Sequence, residues 1–592
     1  LSLDNVELNL IETMDDVFRF KEWLGQRRPE FWQGMQAISA DTETTGLSIQ
    51  KDHVRLCQVG DANVGWAFEW ERWSGIFQEV AETWPGIFLF HNAKFDIGHL
   101  DKMGVRLPRS RVFDTRIMAH VLHPTFSTAL KPLAARYVDP SAGAAQKDLD
   151  DAVKRLGWAG VPINFPPYWQ YGALDPVLTQ RLGEILFPRV MADAPDAFFL
   201  ENEVSWIIEG MERYGAHIDV PYALEHYERF NAYCAQAEQW CLKEYGIKPG
   251  QNAEVVRILQ EAGHVFSKAT ASGAIALDAE VLGDINHPLA EVVLQRRKMQ
   301  KMASTYLRHY ITETDEDGLI HPSINVLGAR TSRMSMQDPN FQNLPRKSEA
   351  NKAATVIRNC VNTRFDTGSM LFADFDQIEM RMLAALSGDE KMMDAFRGEG
   401  DFFVNMAREV YQDPTIIKSD PRRQVIKNTG YATIYGAGPD KLAKTAGIPT
   451  AAARAAQLGM SSTYPTQYNW RSEVVNIAQR RAIEDGEGWV RCPITGRKHV
   501  ADPRKEYALV NFMIQGGAAA VLKRKIIELA NAGLGHRMVA PVHDEIILDV
   551  PAEEYNDAIA TLRDVMNDDT MFRVPITAGV SAGKRWGEKE EL

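Results

Sequence analysis

Asp41 and Glu43 stand two residues apart in Ala40-Asp41-Thr42-Glu43-Thr44, at the end of an apolar run. In an extended strand, residues i and i+2 face the same side, so both carboxylates point into one site. Two adjacent ionised carboxylates repel, and a divalent cation is the common way to hold both. Two further fragments extend the set. His91-Asn92-Ala93-Lys94-Phe95-Asp96 supplies Asp96, and Tyr171-Gly172-Ala173-Leu174-Asp175 puts Tyr171 and Asp175 on one face of a helix. Each fragment alone is short and frequent, and reads as a surface or capping carboxylate. Their common order on an α/β background is far harder to obtain by chance.

A second constellation lies downstream. Arg423, Lys427, Tyr431 and Tyr435 are spaced by four, which on a helix makes one slightly drifting stripe. Two cations followed by two aromatics suit a triphosphate and then a base, since cations serve phosphate charge and aromatics stack on bases. A charged stripe alone is usually a solvated face; the two aromatics that continue it argue against that. Asp374, in Ala373-Asp374-Phe375-Asp376-Gln377-Ile378-Glu379, follows one apolar strand, and Asp544, in Val542-His543-Asp544-Glu545, follows another. Carboxylates from two adjacent strands can share a pair of divalent ions, the minimum for two-metal phosphoryl transfer. A plain hairpin turn accounts for the second fragment equally well, because turns favour Asp.

The elements that must carry these residues follow from periodicity. Short apolar runs and turns up to about residue 190 read as strands interleaved with helices. A Pro/Ala-rich stretch near Pro195 reads as a linker. Leu200, Val204, Ile207, Ile208, Met211 and Tyr214 predict an amphipathic helix, which Gly215 ends. The chain then reads as mainly helical to about 310. A strand is predicted near Leu371–Phe375, helices from about 390 to 535, and two strands, Val539–Val542 and Ile546–Val550, around a tight turn.

The 592 residues predict two to four domains, and 45% hydrophobic with 24% charged residues is ordinary globular composition. The five cysteines are scattered and odd in number, which points to neither disulfides nor zinc but to a reducing compartment. No apolar run spans a bilayer, and the first residues lack the order of a signal peptide. A cytoplasmic protein without a membrane partner is expected. A net charge of −13 argues, taken alone, against a nucleic-acid ligand. It is an average, and the basic residues group at Arg296, Arg297, Lys298 and Lys301, and at Arg422, Arg423 and Lys427.

With these motifs assembled, the chain resembles two families. Residues from about 35 to 180 resemble the DEDD exonuclease superfamily in its tyrosine-bearing branch, on DTETTGL, HNAKFD and YGALD. From about 200 to the end the chain resembles family A DNA polymerases. That likeness rests on Thr331-Ser332-Arg333-Met334-Ser335, Pro339-Asn340-Phe341-Gln342-Asn343, the Asp374 and Asp544 fragments, the Arg423–Tyr435 stripe, Lys301 to Tyr306, Asn511-x3-Gln515-Gly516 and Gly583-Lys584-Arg585-Trp586. No 5′-nuclease region stands before the exonuclease motifs, a layout similar to bacteriophage-type members, which would place the protein in a host cell's cytoplasm.

The resemblance implies an α/β, RNase H-like 3′–5′ exonuclease domain over 1–190 and an α+β right-hand polymerase module over 200–592. The thumb would lie at about 235–310, the palm at about 311–390 and 535–592, and the fingers at about 391–534. It implies DNA-directed synthesis with proofreading and a replicative role. Asp41, Glu43, Asp96 and Asp175 would bind two Mg²⁺ or Mn²⁺ ions, with Tyr171 orienting the attacking water. Asp374 and Asp544 would bind two more, with His543 and Glu545 supporting the primer terminus and the metal site. Arg423 and Lys427 would hold the triphosphate, Tyr431 its sugar and base, and Tyr435 would lie near the templating base. Glu379, beside Gln377, would exclude a 2′-hydroxyl. Arg333, Asn340, Gln342, Asn343, Asn511 and Gln515 would contact the duplex, and Arg297 and Lys301 its backbone. Primer-template DNA and dNTPs are the implied partners of a monomer, with accessory replication proteins left open.

Several positions depart from the family's usual residues: Ser332 for Gly, Asp376 for Ser, Phe403 for His, Gly430 and Ala432 for Asn and Gly, Tyr507 for Arg, and Ala520 for Asp. None removes a proposed metal ligand or triphosphate cation. Three rival readings are a single-subunit RNA polymerase, a processing nuclease whose large module is only a DNA-binding scaffold, and a polymerase with a dead exonuclease. Glu379 and the exonuclease motifs oppose the first. The complete set of polymerase carboxylates and cations opposes the second. The intact set Asp41, Glu43, Asp96, Tyr171 and Asp175 opposes the third.

Overall fold

Ala37 to Ala40 are buried on both faces, and only the end of their strand, Asp41 and Glu43, opens outward. That strand, β2 (Ala37–Thr44), is central in a six-stranded sheet with β1 (Glu7–Ile11), β3 (Val54–Gly60), β4 (Val64–Glu69), β5 (Ile87–Phe90) and β6 (Val112–Asp114). The order is β1-β4-β3-β2-β5-β6. β3 runs antiparallel to β2 and β4, and the other neighbours are parallel. The computed structural model describes residues 2–143, 147–270, 273–345, 352–398 and 400–592.

The helix Pro166–Asp193 lies across β2, β3 and β4 and brings Tyr171 and Asp175 to the open end of β2. Its approach depends on Gly65 of β4, where a Cβ would stand 1.9 Å from the Ala173 carbonyl oxygen. Only glycine permits that contact.

The stretch near Pro195 is not an extended linker. Ala194 alone separates helix Pro166–Asp193 from helix Pro195–Tyr214, and it is 2% exposed. Proline fits the first helical turn, where its missing N–H is not needed, so Pro195 starts a helix instead of breaking structure. Phe198, Val204 and Ile208 of this helix share one continuous core with Leu182 and Phe187 of the exonuclease side and with Leu371 and Leu548 of the second sheet.

That second sheet is antiparallel, in the order Met538–Val542, Glu545–Val550, Ser369–Phe375, Ala578–Gly583, Glu590–Glu591. Leu371, Phe372 and Ala373 are buried within it. The helix Ala508–Leu529, apolar on nearly all sides, is correspondingly buried, packed against helices Pro195–Tyr214 and Ile378–Ser387. The helices Val220–Tyr245 and Pro288–Lys301 pack together over a separate small core that includes Cys241, Val255, Leu259, Leu289 and Val293. The helical region between the sheet's strands carries helix Pro421–Ile434, capped by Asp420 and opened by Pro421. All five cysteines are free, and no helix of the described residues is long and apolar enough to cross a membrane.

Candidate active sites

At the open end of β2, carboxylate oxygens of Asp41, Glu43 and Asp175 lie within 4.8 Å of one another. Among the described residues this is the one group of three acidic, histidine or cysteine side chains that converges as metal ligands do. Burial pushes Asp41 well above the usual carboxylate range, reinforced by Asp96, Asp175 and Glu43. Burial likewise pushes Glu43 up to about 8, with Asp175 adding to the rise.

Asp96 is placed differently from its three partners. It accepts hydrogen bonds from the Thr42 amide (3.0 Å) and hydroxyl (2.7 Å), which turns it onto β2. Burial raises it to about 7 against these bonds. Its helix, Ala93–Lys102, is fixed at the start by Asp114, which accepts from the amides of Asn92 (3.0 Å) and Ala93 (2.9 Å). Lys94 pairs with Glu212 and ties the same helix to Pro195–Tyr214.

Lys131 is the residue of this site that sequence reasoning missed. Its ammonium donates to Asp175 and stands 4.4 Å from the centre of the Tyr171 ring. It offsets part of the repulsion among the carboxylates. No spacing rule points to it, because it lies 44 residues from its carboxylate partner.

In the second site, Asp374 pairs across the sheet with Glu545, and the Phe375 amide donates to the Asp544 carbonyl (3.2 Å). Asp374 and Asp544 thus stand at the ends of neighbouring strands. Asp374 is exposed by surface area, yet desolvation by its surroundings, with Glu545 next, raises it to about 6. Asp544 is also raised by burial, opposed by Arg333 and His543. Glu545 is engaged by Lys589 and does not complete a three-carboxylate group. Asp376, the extra acid, turns aside to accept from the Thr577 hydroxyl (2.8 Å).

Glu379 sits in the first turn of helix Ile378–Ser387, 7% exposed. It accepts from the Arg333 guanidinium (2.5 Å) and the Tyr435 hydroxyl (3.4 Å), and Gln515 donates to that hydroxyl (3.3 Å). The stripe on helix Pro421–Ile434 lies over one ring: the cations of Arg423 and Lys427 are each 5.9 Å from the centre of Phe403, and Tyr431 is 6.1 Å from it. Arg423 is gripped by Asp401, whereas Lys427 has no ion pair among the described residues. Tyr431 is pushed up to about 12 by burial and then by Glu379 and Asp544.

The other expected contacts divide. Asn340 caps its own turn by accepting from the Asn343 amide, Gln342 donates to the Met334 carbonyl, and Asn343 accepts from Tyr306 through its carbonyl. Arg297 is held by the Leu277 carbonyl and Asn252, while Lys301 is exposed. Asn511 Nδ2, one turn before Gln515, and Gln377 Oε1 are buried without a hydrogen-bond partner. Such groups call for a ligand or water. Asn92, Ser332, Gln377 and His543 also all have positive φ, from 53° to 73°. Non-glycine residues rarely adopt that backbone, and such strain clusters at functional sites.

The sequence model described as "DNA polymerase family A" matches residues 223–588, and the one described as "3'-5' exonuclease" matches 27–190. The chain belongs to DNA polymerase family A. It joins a nucleotidyltransferase module to a 3′–5′ exonuclease domain. DNA polymerases of Mycobacterium phages D29 and L5 are 27% and 28% identical, each over 99% of this chain and 97% of the relative. In fold the chain is similar to "POL domain of Pol1 from M. smegmatis complex with DNA primer-template and dNTP", with TM-score 0.79 and 20% identity over 98% of this chain and 99% of that one. Exonuclease, palm, fingers and thumb are therefore all present.

Several of the polymerase's departures from the family pattern have local causes. Phe403 supplies the ring beneath the cationic stripe. At Gly430 a Cβ would meet the Met380 methyl at 3.1 Å, so glycine lets helix Pro421–Ile434 settle on helix Ile378–Ser387. Ala432 joins a small cluster with Leu442, Ala443 and Ala453. Ala520 is buried in helix Ala508–Leu529. Tyr507 is 55% exposed and lies against Gly436.

The polymerase should show metal-linked stability that grows with pH. The exonuclease carboxylates bind protons more tightly folded than unfolded, so their contribution is present below their unfolded range near pH 4. It is lost as pH rises through Glu43's value of about 8. A divalent cation replaces the lost protons. The gain in Tm from Mn²⁺ over chelator should therefore be larger at about pH 8 than at about pH 5.5. Asp41→Asn should shrink it. An equal gain at both pH values would count against this.

Proposed function

We propose that the protein extends the 3′ end of a DNA primer along a template with dNTPs, and trims mismatched 3′ ends in its exonuclease domain. The observation that carries the reading is that Asp374 and Asp544 stand at the ends of neighbouring strands, that the cationic and aromatic stripe reaches Glu379 through the Tyr435 hydroxyl, and that a separate acidic group lies at Asp41, Glu43 and Asp175. The raised carboxylates are the donor set expected of divalent-cation sites awaiting positive charge. Mg²⁺ or Mn²⁺, two at each site, would supply positive charge for the attacking and departing oxygens.

The chain's own groups do the positioning. Lys427 and Arg423 take the triphosphate, and Arg423 exchanges Asp401 for phosphate as it does so. Tyr431 packs on the sugar and base. Glu379, fixed by Arg333, closes the space a 2′-hydroxyl would need. Tyr435, Asn511 and Gln515 meet the template and primer end. His543 presents its ring at the turn before Asp544. The primer 3′-oxygen attacks the α-phosphorus in line, and the bond to pyrophosphate breaks. In the exonuclease, Asp96 supports the site through Thr42, and Tyr171 with Lys131 orients water and scissile phosphate. Domain limits of 1–190 and 200–592, with the thumb at about 235–310, follow the same reading.

A labelled primer on a longer template tests this. The expected result is extension with Mg²⁺ and dNTPs, and shortening with Mg²⁺ alone. Shortening without extension would make the large module a DNA-binding scaffold.

A further inference from the structure

Outside both sites, a cluster of charge is buried where exonuclease and polymerase meet. Glu201 of helix Pro195–Tyr214 accepts from Arg497 (2.7 Å) through one oxygen and from Lys523 (2.6 Å) through the other. Arg497 is 2% exposed and Lys523 0%. Buried cations are paired and spend most of their remaining donors on polar partners; only Arg497 Nε lacks one here among the described residues. Arg497 gives one to His120 Nδ1 of the exonuclease domain (2.6 Å) and one to the Ser332 hydroxyl (2.7 Å). Lys523 gives one to the Val326 carbonyl (2.9 Å) and one to the Ser332 carbonyl (2.7 Å).

Ser332 is therefore held at two atoms by two buried cations. It also has φ +64°, a backbone that glycine adopts without penalty and serine does not. A glycine here would suit the turn and forfeit the hydroxyl contact. The next residue, Arg333, reaches across to Glu379 at 2.5 Å. An unbroken series of contacts thus runs from Glu201 through Arg497 and Ser332 to Arg333 and Glu379.

We propose that Ser332 is a positioning residue: it anchors Arg333, and through Arg333 the sugar-excluding Glu379, to the buried Glu201–Arg497–Lys523 cluster. The proposal rests on the reading of Glu379 given above. The serine hydroxyl trades an unfavourable backbone for a fixed Arg333, so the space against a 2′-hydroxyl keeps one shape.

Ser332→Gly and Ser332→Ala test it in the full chain. Both lose the hydroxyl; only Ala keeps the strained Cβ. Tm should fall in Ser332→Ala and stay near the parent in Ser332→Gly. Discrimination between dNTP and rNTP, as the ratio of kcat/KM, should drop about tenfold in both alike. The dNTP KM should rise in both more than kcat changes. Discrimination that falls only in the less stable Ala variant, or in neither, overturns the proposal. Glu379→Ala runs beside them. If it relaxes sugar selection and the Ser332 variants do not, only the anchoring role fails. If Glu379→Ala itself leaves selection intact, the reading beneath the proposal fails.

Discussion

Asp544→Ala is expected to lose primer extension by at least about 10³-fold, roughly 4 kcal/mol of transition-state stabilisation, while primer shortening stays intact. Asp374 and Asp544 are the two acids at the strand ends, and Glu545 is engaged by Lys589. With Glu545 held by Lys589 and Asp376 turned to the Thr577 hydroxyl, neither stands ready to replace Asp544. Asp41→Ala is expected to do the reverse, losing shortening by a comparable factor and keeping extension. The two groups lie on different sheets, β2 and the strands around Ser369–Phe375, so neither substitution disturbs the other site. Asp41 is destabilised as an anion by burial and by its acidic neighbours, so Asp41→Ala should also raise Tm in the absence of divalent ions. A primer-extension gel with and without dNTPs reads both activities. Loss of both activities in either variant would contradict two independent centres.

Tyr431→Phe is expected to change sugar selection at the other hydroxyl. Burial, then the charges of Glu379 and Asp544, push the Tyr431 hydroxyl up to about 12, so it stays a neutral donor across the working pH range. In the pocket it can replace the hydrogen bond that a missing 3′-hydroxyl leaves open. The intact enzyme should therefore add dideoxynucleotides almost as well as dNTPs. Tyr431→Phe should reject them by roughly 10²-fold, because a pocket with an unpaired polar group discriminates strongly. Normal dNTP addition should change little, since the ring against Phe403 is kept. Competition between the two nucleotides on one template measures the ratio. Strong rejection by the intact enzyme, unchanged in the variant, would remove the hydroxyl from this role.

Both predictions draw on residues that were visible in the sequence, because local geometry repeats. A strand's period of two set Asp41 and Glu43 on one side, and a helix's near-four spacing set Arg423, Lys427 and Tyr431 in one stripe. Apolar runs ending in acids located Asp374 and Asp544. What these residues touch was decided elsewhere. Lys131 on Asp175, Asp401 on Arg423, Thr42 on Asp96 and Arg333 on Glu379 join positions that no local period relates. The join at Ala194 was misread for the same reason, since proline reads as a break until a first helical turn accepts it. Glu201, Arg497 and Lys523 had no signal at all: as single charges in a chain they are indistinguishable from surface residues. The sequence by itself therefore determined which chemical groups share an element and which way they face. Only the tertiary structure decided which groups meet between elements, because burial removes water as their partner and leaves each charge only what folding has packed against it.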